Sequence, residues 1–167
     1  MKYASVSTRK KELTLEIEEF MREYGTDPDF STRWGTPLVG FADAFHPSIL
    51  ALKETISPDH ELPTDVLPDP TIVIACYVPF TKDLAKSNAI AGRLASPEWA
   101  LAYEETNAML RQLNLHLIGY LEGLGYRAAV SKEASTFDQE KLISNWSHRH
   151  FAVASGLGTF GINNMLI

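Results

Sequence analysis

The segment TIVIACYV at residues 71–78 is the clearest strand in the chain and decides its fold class. It is continuously apolar, rich in β-branched residues and followed by Pro79, which predicts a strand buried on both faces. We expect two further strands at residues 37–42 and 126–130. Because strands alternate with helical segments, the sequence predicts an α/β fold: a single layered domain over residues 1–167, with a mixed sheet flanked by helices.

Helical segments surround these strands. Apolar residues recur at helical spacing over residues 13–24 and again over 96–125, where a capping serine and proline begin a helix roughly 40 Å long. A proline at the first turn predicts a short helix at residues 47–56, and a capping box predicts a last helix at 136–155. Residues 57–70, which contain four prolines, are expected to be the longest irregular connection.

The composition narrows the class of protein. With 167 residues, 45% of them hydrophobic and 22% charged, the chain is typical of a soluble globular domain. A net charge of −6 disfavours binding along a nucleic-acid backbone. The single cysteine, Cys76, is expected to be a buried inert thiol, and it cannot by itself build a disulfide, a zinc site or an iron–sulfur cluster. We therefore expect a cytoplasmic protein that does not enter a membrane.

The chain closes with HRHFAVASGLGTFGINN at residues 148–164. Gly156, Gly158 and Gly161 match the glycine spacing of dinucleotide-binding loops, but in those loops a strand precedes the glycines and a helix follows. Here a helix precedes them and a strand is predicted at residues 165–167, which disfavours a dinucleotide site. Two interpretations remain: a glycine C-cap and tight turn whose last glycine has a positive φ, or a loop that admits a flat ligand close to the backbone.

The closing pattern, a helix followed by Ala-x-x-Gly-Leu-Gly-x-x-Gly-x-Asn-x-x-Leu-Ile, resembles the end of the N-terminal domain of epoxyqueuosine reductases and their relatives. These are cobalamin-dependent iron–sulfur oxidoreductases related to reductive dehalogenases. The order of upstream elements is also similar, so that the likeness covers nearly the whole chain, while the last dozen residues are its specific part. The resemblance implies a nitroreductase-like cobalamin-binding scaffold and a following ferredoxin-like domain with two 4Fe-4S clusters. That cluster-bearing half would begin where this sequence ends, so we expect a truncated domain of a longer reductase or a natural short form.

The resemblance implies that the glycine loop contacts cobalamin. The expected contacts are Gly156, Leu157, Gly158, Thr159, Phe160, Gly161 and Asn163, joined by Tyr77 at a strand end and by His150. The family's presumed proton donor is an aspartate ahead of this loop, and no aspartate falls in that register here. His148, Asn145 and Asp138 are the candidates to take its catalytic role. Because His148 and His150 point about 200° apart on a helix, we expect no metal site between them.

Three functions stay open. The chain is either the corrinoid-binding half of a reductase, with a flavin pocket as a variant, or a non-catalytic module that carries or senses a cofactor. It could also be an oligomerising α/β domain whose C-terminal strand pairs with another copy. The expected partners are the corrinoid, a cluster-bearing domain or ferredoxin-like protein, and, among nucleic acids, only a modified tRNA.

Overall fold

The computed structural model describes residues 6–131, 140 and 144–167. Within them the fold is mixed α/β. The helices are α1 (Val6–Tyr24), α2 (Pro47–Leu50), α3 (Leu52–Thr55), α4 (Pro63–Val66), α5 (Lys82–Ile90), α6 (Pro97–Gly123) and α7 (His148–Ala154), and the strands are β1 (Leu38–Asp43) and β2 (Ile72–Tyr77). None of the helices in the described ranges combines the length and apolar character needed to cross a lipid bilayer.

The chain divides into two compact units. We call Met1–Pro37 with Val78–Tyr126 the helical unit, and Leu38–Tyr77 with Arg127–Ile167 the sheet unit. The helical unit contains α1, α5 and α6, and the sheet unit contains the two strands, α2, α3, α4 and α7.

In the helical unit, α1 packs against α6. The side chains that the two helices bury are spaced four or seven residues apart, as helical periodicity requires; they are Leu13, Ile17, Met21, Ala102, Met109 and Leu113. The hydroxyl of Ser96 caps α6 by accepting from the Trp99 amide at 3.1 Å. Gly125, with a φ of 84°, follows the end of the helix. The predictions for α1 and α6 are confirmed.

In the sheet unit, β1 and β2 pair antiparallel, with Leu38 opposite Tyr77 and Asp43 opposite Ile72. The strands pack against α7, and α7 packs against α2. Phe151 of α7 lies in the core of this unit, which is made by Ala42, Ile49, Leu52 and Phe151. The predicted strands at 37–42 and 71–78 and the short helical segment at 47–56, which divides into α2 and α3, are confirmed.

Other predictions for the sheet unit are wrong. β2 is half-buried along its middle rather than buried on both faces, and its described sheet contains only one other strand, β1. Residues 126–130 are irregular, and the Arg127 side chain there donates to the Pro68 carbonyl at 2.9 Å. The helix predicted at 136–155 is confirmed only in its C-terminal part, α7, because residues 144–147 are not helical; residues 136–139 and 141–143 lie outside the described residues. The short helices α4 and α5 were not predicted, because neither leaves a clear periodic pattern.

Candidate functional site

The N-terminus of α7 is anchored by a buried histidine. His60 has no exposed surface, and its Nε2 accepts from the backbone N–H of Ser147, the residue that precedes α7, at 3.1 Å. Its Nδ1 lies 2.7 Å from the Glu61 carbonyl oxygen, to which it donates. One ring nitrogen therefore donates and the other accepts, which defines a neutral imidazole. Burial lowers the pKa of His60, a shift that the neighbouring Glu61 opposes and Lys53 reinforces.

His150 stands on the first turn of α7. Its Nδ1 lies 2.7 Å from the hydroxyl oxygen of Ser147, and its ring is tilted against Phe160 with centroids 4.7 Å apart. Burial and the adjacent charge of Arg149 lower the pKa of His150, so that this ring too is neutral at pH 7. The helix thus carries a neutral imidazole in contact with an aromatic ring of the glycine loop.

The close packing of α7 on the sheet depends on Gly40. A Cβ at this position in β1 would stand 2.6 Å from the Ser155 carbonyl oxygen and 2.8 Å from Cγ of Leu157. Such distances are shorter than non-bonded atoms tolerate, so only glycine lets the strand approach the end of α7 this closely. Within the same unit, Phe151 of α7 stacks on Trp146 with ring centroids 4.2 Å apart.

The glycine loop begins as a helix C-cap. Gly156 has a φ of 78°, its N–H donates to the Val153 carbonyl at 3.0 Å, and the Leu157 N–H donates to the Ala152 carbonyl at 3.0 Å. These two hydrogen bonds define a Schellman motif. The C-cap interpretation is confirmed, but the prediction that Gly161 has a positive φ is wrong: Asn164 adopts it, at 59°.

Residues 159–167 then fold back as a small hairpin. Thr159 and Ile167 exchange two backbone hydrogen bonds of 2.8 and 2.9 Å, and the Gly161 N–H donates to the Met165 carbonyl at 2.8 Å. A Cβ on Gly158 would stand 2.6 Å from the Ile167 carbonyl oxygen, so this glycine is required by the hairpin itself. The predicted strand at 165–167 is therefore a bridge within the closing loop, where Leu166 pairs with Phe160.

The hairpin directs apolar side chains outward. Ile162 is fully exposed, while Met165 and Ile167 are 55% and 77% exposed. Arg149 of α7 donates to the Asn164 carbonyl at 2.6 Å and ties the hairpin to the helix. Exposed apolar side chains concentrated on one short, internally bonded loop are typical of surfaces that bind a ligand or another molecule.

The structure brings some of the predicted site residues together. His150 contacts Phe160, whereas His148 is exposed on the same helix. Asn145 contributes its backbone carbonyl, which accepts from the Glu61 N–H at 2.8 Å. Asp138 lies outside the described residues.

The remaining predicted contacts are more peripheral. The side-chain oxygen of Asn163 accepts from the Met165 N–H at 3.2 Å and so shapes the turn. Thr159 is exposed, and Tyr77, at the end of β2, is 49% exposed.

Sequence reasoning missed His60 and Ser147. The two residues are 87 positions apart, and His60 lies in a proline-rich connection that has no periodic pattern. A serine just before a helix is the only local signal, and it indicates a cap rather than a contact with a buried histidine.

Metal binding has no geometric support within the ranges that the structure describes, where no three His, Cys, Asp or Glu side chains converge. Burial raises the pKa of Cys76 to about 11, as expected of an unreactive thiol. An open groove bordered by Arg22, Trp34 and Pro37 lies in the helical unit and contains none of the predicted site residues. Comparison of the chain with family models, with curated proteins and with solved structures finds no match.

Proposed function

We propose that this chain is the cobalamin-binding N-terminal domain of an iron–sulfur-dependent reductase related to epoxyqueuosine reductase, built on a nitroreductase-like scaffold. The observation that carries the proposal is the closing element: a capped helix that presents the His150–Phe160 ring pair, followed by a hairpin with exposed Ile162 and Met165. The glycine pattern of this element is also what resembles the family.

The residues of the closing element fit a corrinoid. A corrin is a broad flat macrocycle with apolar faces and amide arms, so it needs apolar contact area together with a few hydrogen-bonding groups. Phe160, Ile162 and Met165 would supply the apolar contacts. The exposed Thr159 hydroxyl and the amide nitrogen of Asn163 would donate to the amide arms. The neutral ring of His150 would contribute both contact area and a hydrogen bond without placing a cation there.

Cobalamin, when bound, supplies the metal-centred electron chemistry of such a reductase, and the protein supplies binding, orientation and proton delivery. We assign proton donation to His148, which is exposed on the first turn of α7. Asn145 would orient the substrate, and Asp138 is a further candidate for the proton donor. Electrons would come from a domain or a ferredoxin-like partner that carries 4Fe-4S clusters. We infer a cytoplasmic location, which suits the single cysteine.

A second candidate function is an oligomerising module. The exposure of Ile162, Met165 and Ile167 favours it, because a second copy would also cover these side chains. The mass of the particle in solution distinguishes this function from cofactor binding, because only an oligomer changes its mass with protein concentration.

The experiment is to incubate the purified chain with hydroxocobalamin, remove free cofactor by gel filtration and record the visible spectrum together with light scattering. We expect a corrinoid spectrum to coelute with the protein, and His150→Ala and Phe160→Ala each to weaken retention. His116→Ala, in the helical unit, is the matched control and is expected to retain the cofactor as the unchanged protein does. No retention at high micromolar concentrations would contradict the proposal, and a concentration-dependent oligomer without corrinoid would support the second candidate.

A further inference from the structure

His60 joins two distant segments of the sheet unit. Its Nε2 accepts from Ser147 N–H, and the next residue, Glu61, donates its own N–H to the Asn145 carbonyl at 2.8 Å. These two hydrogen bonds attach residues 60–61 to the turn that leads into α7. A helix of seven residues is too short to be stable without such tertiary contacts.

The hydrogen bond to Ser147 exists only while His60 is neutral. A proton on Nε2 would turn the acceptor into a donor that faces another donor, the Ser147 N–H. It would also place a cation at a site with no exposed surface. Both effects favour opening of the contact over protonation in place.

The charged groups around His60 do not cancel this effect. Glu61 attracts a protonated ring, but its carboxylate accepts from the Ser131 hydroxyl at 2.8 Å. Lys53, which is paired with Asp65 at 3.0 Å, repels a protonated ring. From α7, His150 interacts electrostatically with His60 and is itself neutral at pH 7, with Arg149 beside it. Burial outweighs the attraction of Glu61, because it is the largest influence on the ring.

Loss of the His60–Ser147 hydrogen bond would affect the hairpin through the first turn of α7. Arg149, which holds the Asn164 carbonyl, and His150, which contacts Phe160, both stand on this turn. The Ser147 hydroxyl is also the partner of His150 Nδ1. The residue that anchors α7, Ser147, therefore lies within three positions of the two residues that contact the hairpin, Arg149 and His150.

We propose that the His60–Ser147 hydrogen bond is an acid-sensitive latch, which holds α7 and the closing hairpin at neutral pH and releases them when His60 is protonated. The latch is independent of which ligand the closing element binds. Because the pKa of His60 lies below its ordinary value, the latch is intact above about pH 6.5. It weakens as the pH falls from there towards the lowered pKa in the folded state.

The test uses the whole chain labelled with ¹⁵N. At pH 7.5 the histidine side-chain spectrum should show His60 with a proton on Nδ1 and none on Nε2. The hydrogen-exchange protection of the Ser147 amide, corrected for the intrinsic exchange rate, should fall by about tenfold for each pH unit within the window. A proton on Nε2 at pH 7.5, or constant protection between pH 7.5 and 5, would overturn the proposal.

The variant His60→Gln sharpens this test, because a glutamine oxygen accepts a hydrogen bond at the position of Nε2 without titrating. We expect its Ser147 protection to be independent of pH over the same range. His46→Gln is the matched control, since His46 caps α2 in the same unit with Nδ1 2.7 Å from the Ser48 hydroxyl. It should keep the pH dependence of the unchanged protein. Retention of that dependence in folded His60→Gln would refute the latch, and if the variant does not fold, the ¹⁵N spectra of the unchanged protein decide.

Discussion

Different kinds of contact stabilise the helical unit and the sheet unit, each within itself. In the helical unit, α6 extends over 27 residues, packs against α1 and α5, and buries side chains that follow the helical repeat. In the sheet unit, α7 has seven residues and lies between a glycine in β1 and a buried histidine. Long amphipathic helices distribute stability over many side chains, whereas short elements depend on particular atoms.

This difference predicts how each unit responds when a glycine is replaced by alanine, which adds one methyl group. A methyl group on an exposed helix position adds helix propensity, and the same group at a close backbone approach creates a steric conflict. The same substitution should therefore have opposite effects in the two units.

The largest effect is expected for Gly40→Ala in the sheet unit. The new Cβ would collide with the Ser155 carbonyl, a backbone atom that cannot rotate away, and with Leu157. We expect a loss of about 3 kcal/mol in the free energy of unfolding, at the upper end of overpacking costs. Chemical denaturation monitored by circular dichroism measures it.

The control for Gly40→Ala is Gly119→Ala in α6. No described atom lies within 4 Å of the position of its Cβ, so the substitution adds helix propensity alone. It should raise the free energy of unfolding by about 0.5–1 kcal/mol. Two destabilising substitutions of similar size would show that the contrast between the units is wrong.

The sequence predicts an element where the signal for that element is local. The β1, β2, α1 and α6 segments were predicted because each carries its pattern locally, as in the capping serine at Ser96. The start of α7 was not predicted, because it depends on a hydrogen bond from Ser147 to a residue 87 positions away. The strand expected at residues 126–130 has the right composition but no described strand beside it, and composition alone does not supply a partner.

The candidate site divides in the same way. The C-cap at Gly156 was predictable, since a glycine after an apolar periodic run has a local geometric reason. The requirement for Gly158 was not, because it comes from the close approach of the Ile167 carbonyl within the closing hairpin. His150 was predicted as a cofactor contact from the sequence, but its contact with Phe160 is visible only in the structure.

A medium effect is expected for Glu105→Gln, which tests the polar contacts of the helical unit. The Glu105 carboxylate accepts from the Thr32 N–H at 2.7 Å and the Ser31 N–H at 3.1 Å. Burial would raise the pKa of this carboxyl, but these hydrogen bonds outweigh it and lower the pKa. Glutamine keeps a neutral acceptor, so we expect a loss of about 1–2 kcal/mol at pH 7.

The pH dependence of this loss of stability tests whether it comes from the charge of the Glu105 carboxylate. A lowered carboxyl pKa gives stability that is present above about pH 4.3 and disappears as the pH falls through the value in the folded state. The difference between the unchanged protein and Glu105→Gln should therefore shrink between pH 5 and pH 3 in urea titrations. The latch at His60 acts at higher pH, so a Glu105→Gln difference that shrank already at pH 6 would contradict the separation of the two windows.

The smallest effects are expected where the two units use the same device. Gly125 after α6 and Gly156 after α7 both close Schellman motifs at positive φ, and no described atom lies within 4 Å of a Cβ built on either. Alanine should therefore cost about 1 kcal/mol at each position through backbone strain alone. Urea denaturation of the two variants measures both costs, and a much larger loss for Gly156→Ala would show a contact that the open geometry does not account for.

Because the stability costs match, the pair also isolates binding: hydroxocobalamin retention that is weaker in Gly156→Ala than in Gly125→Ala must come from the changed closing turn rather than from a less stable protein.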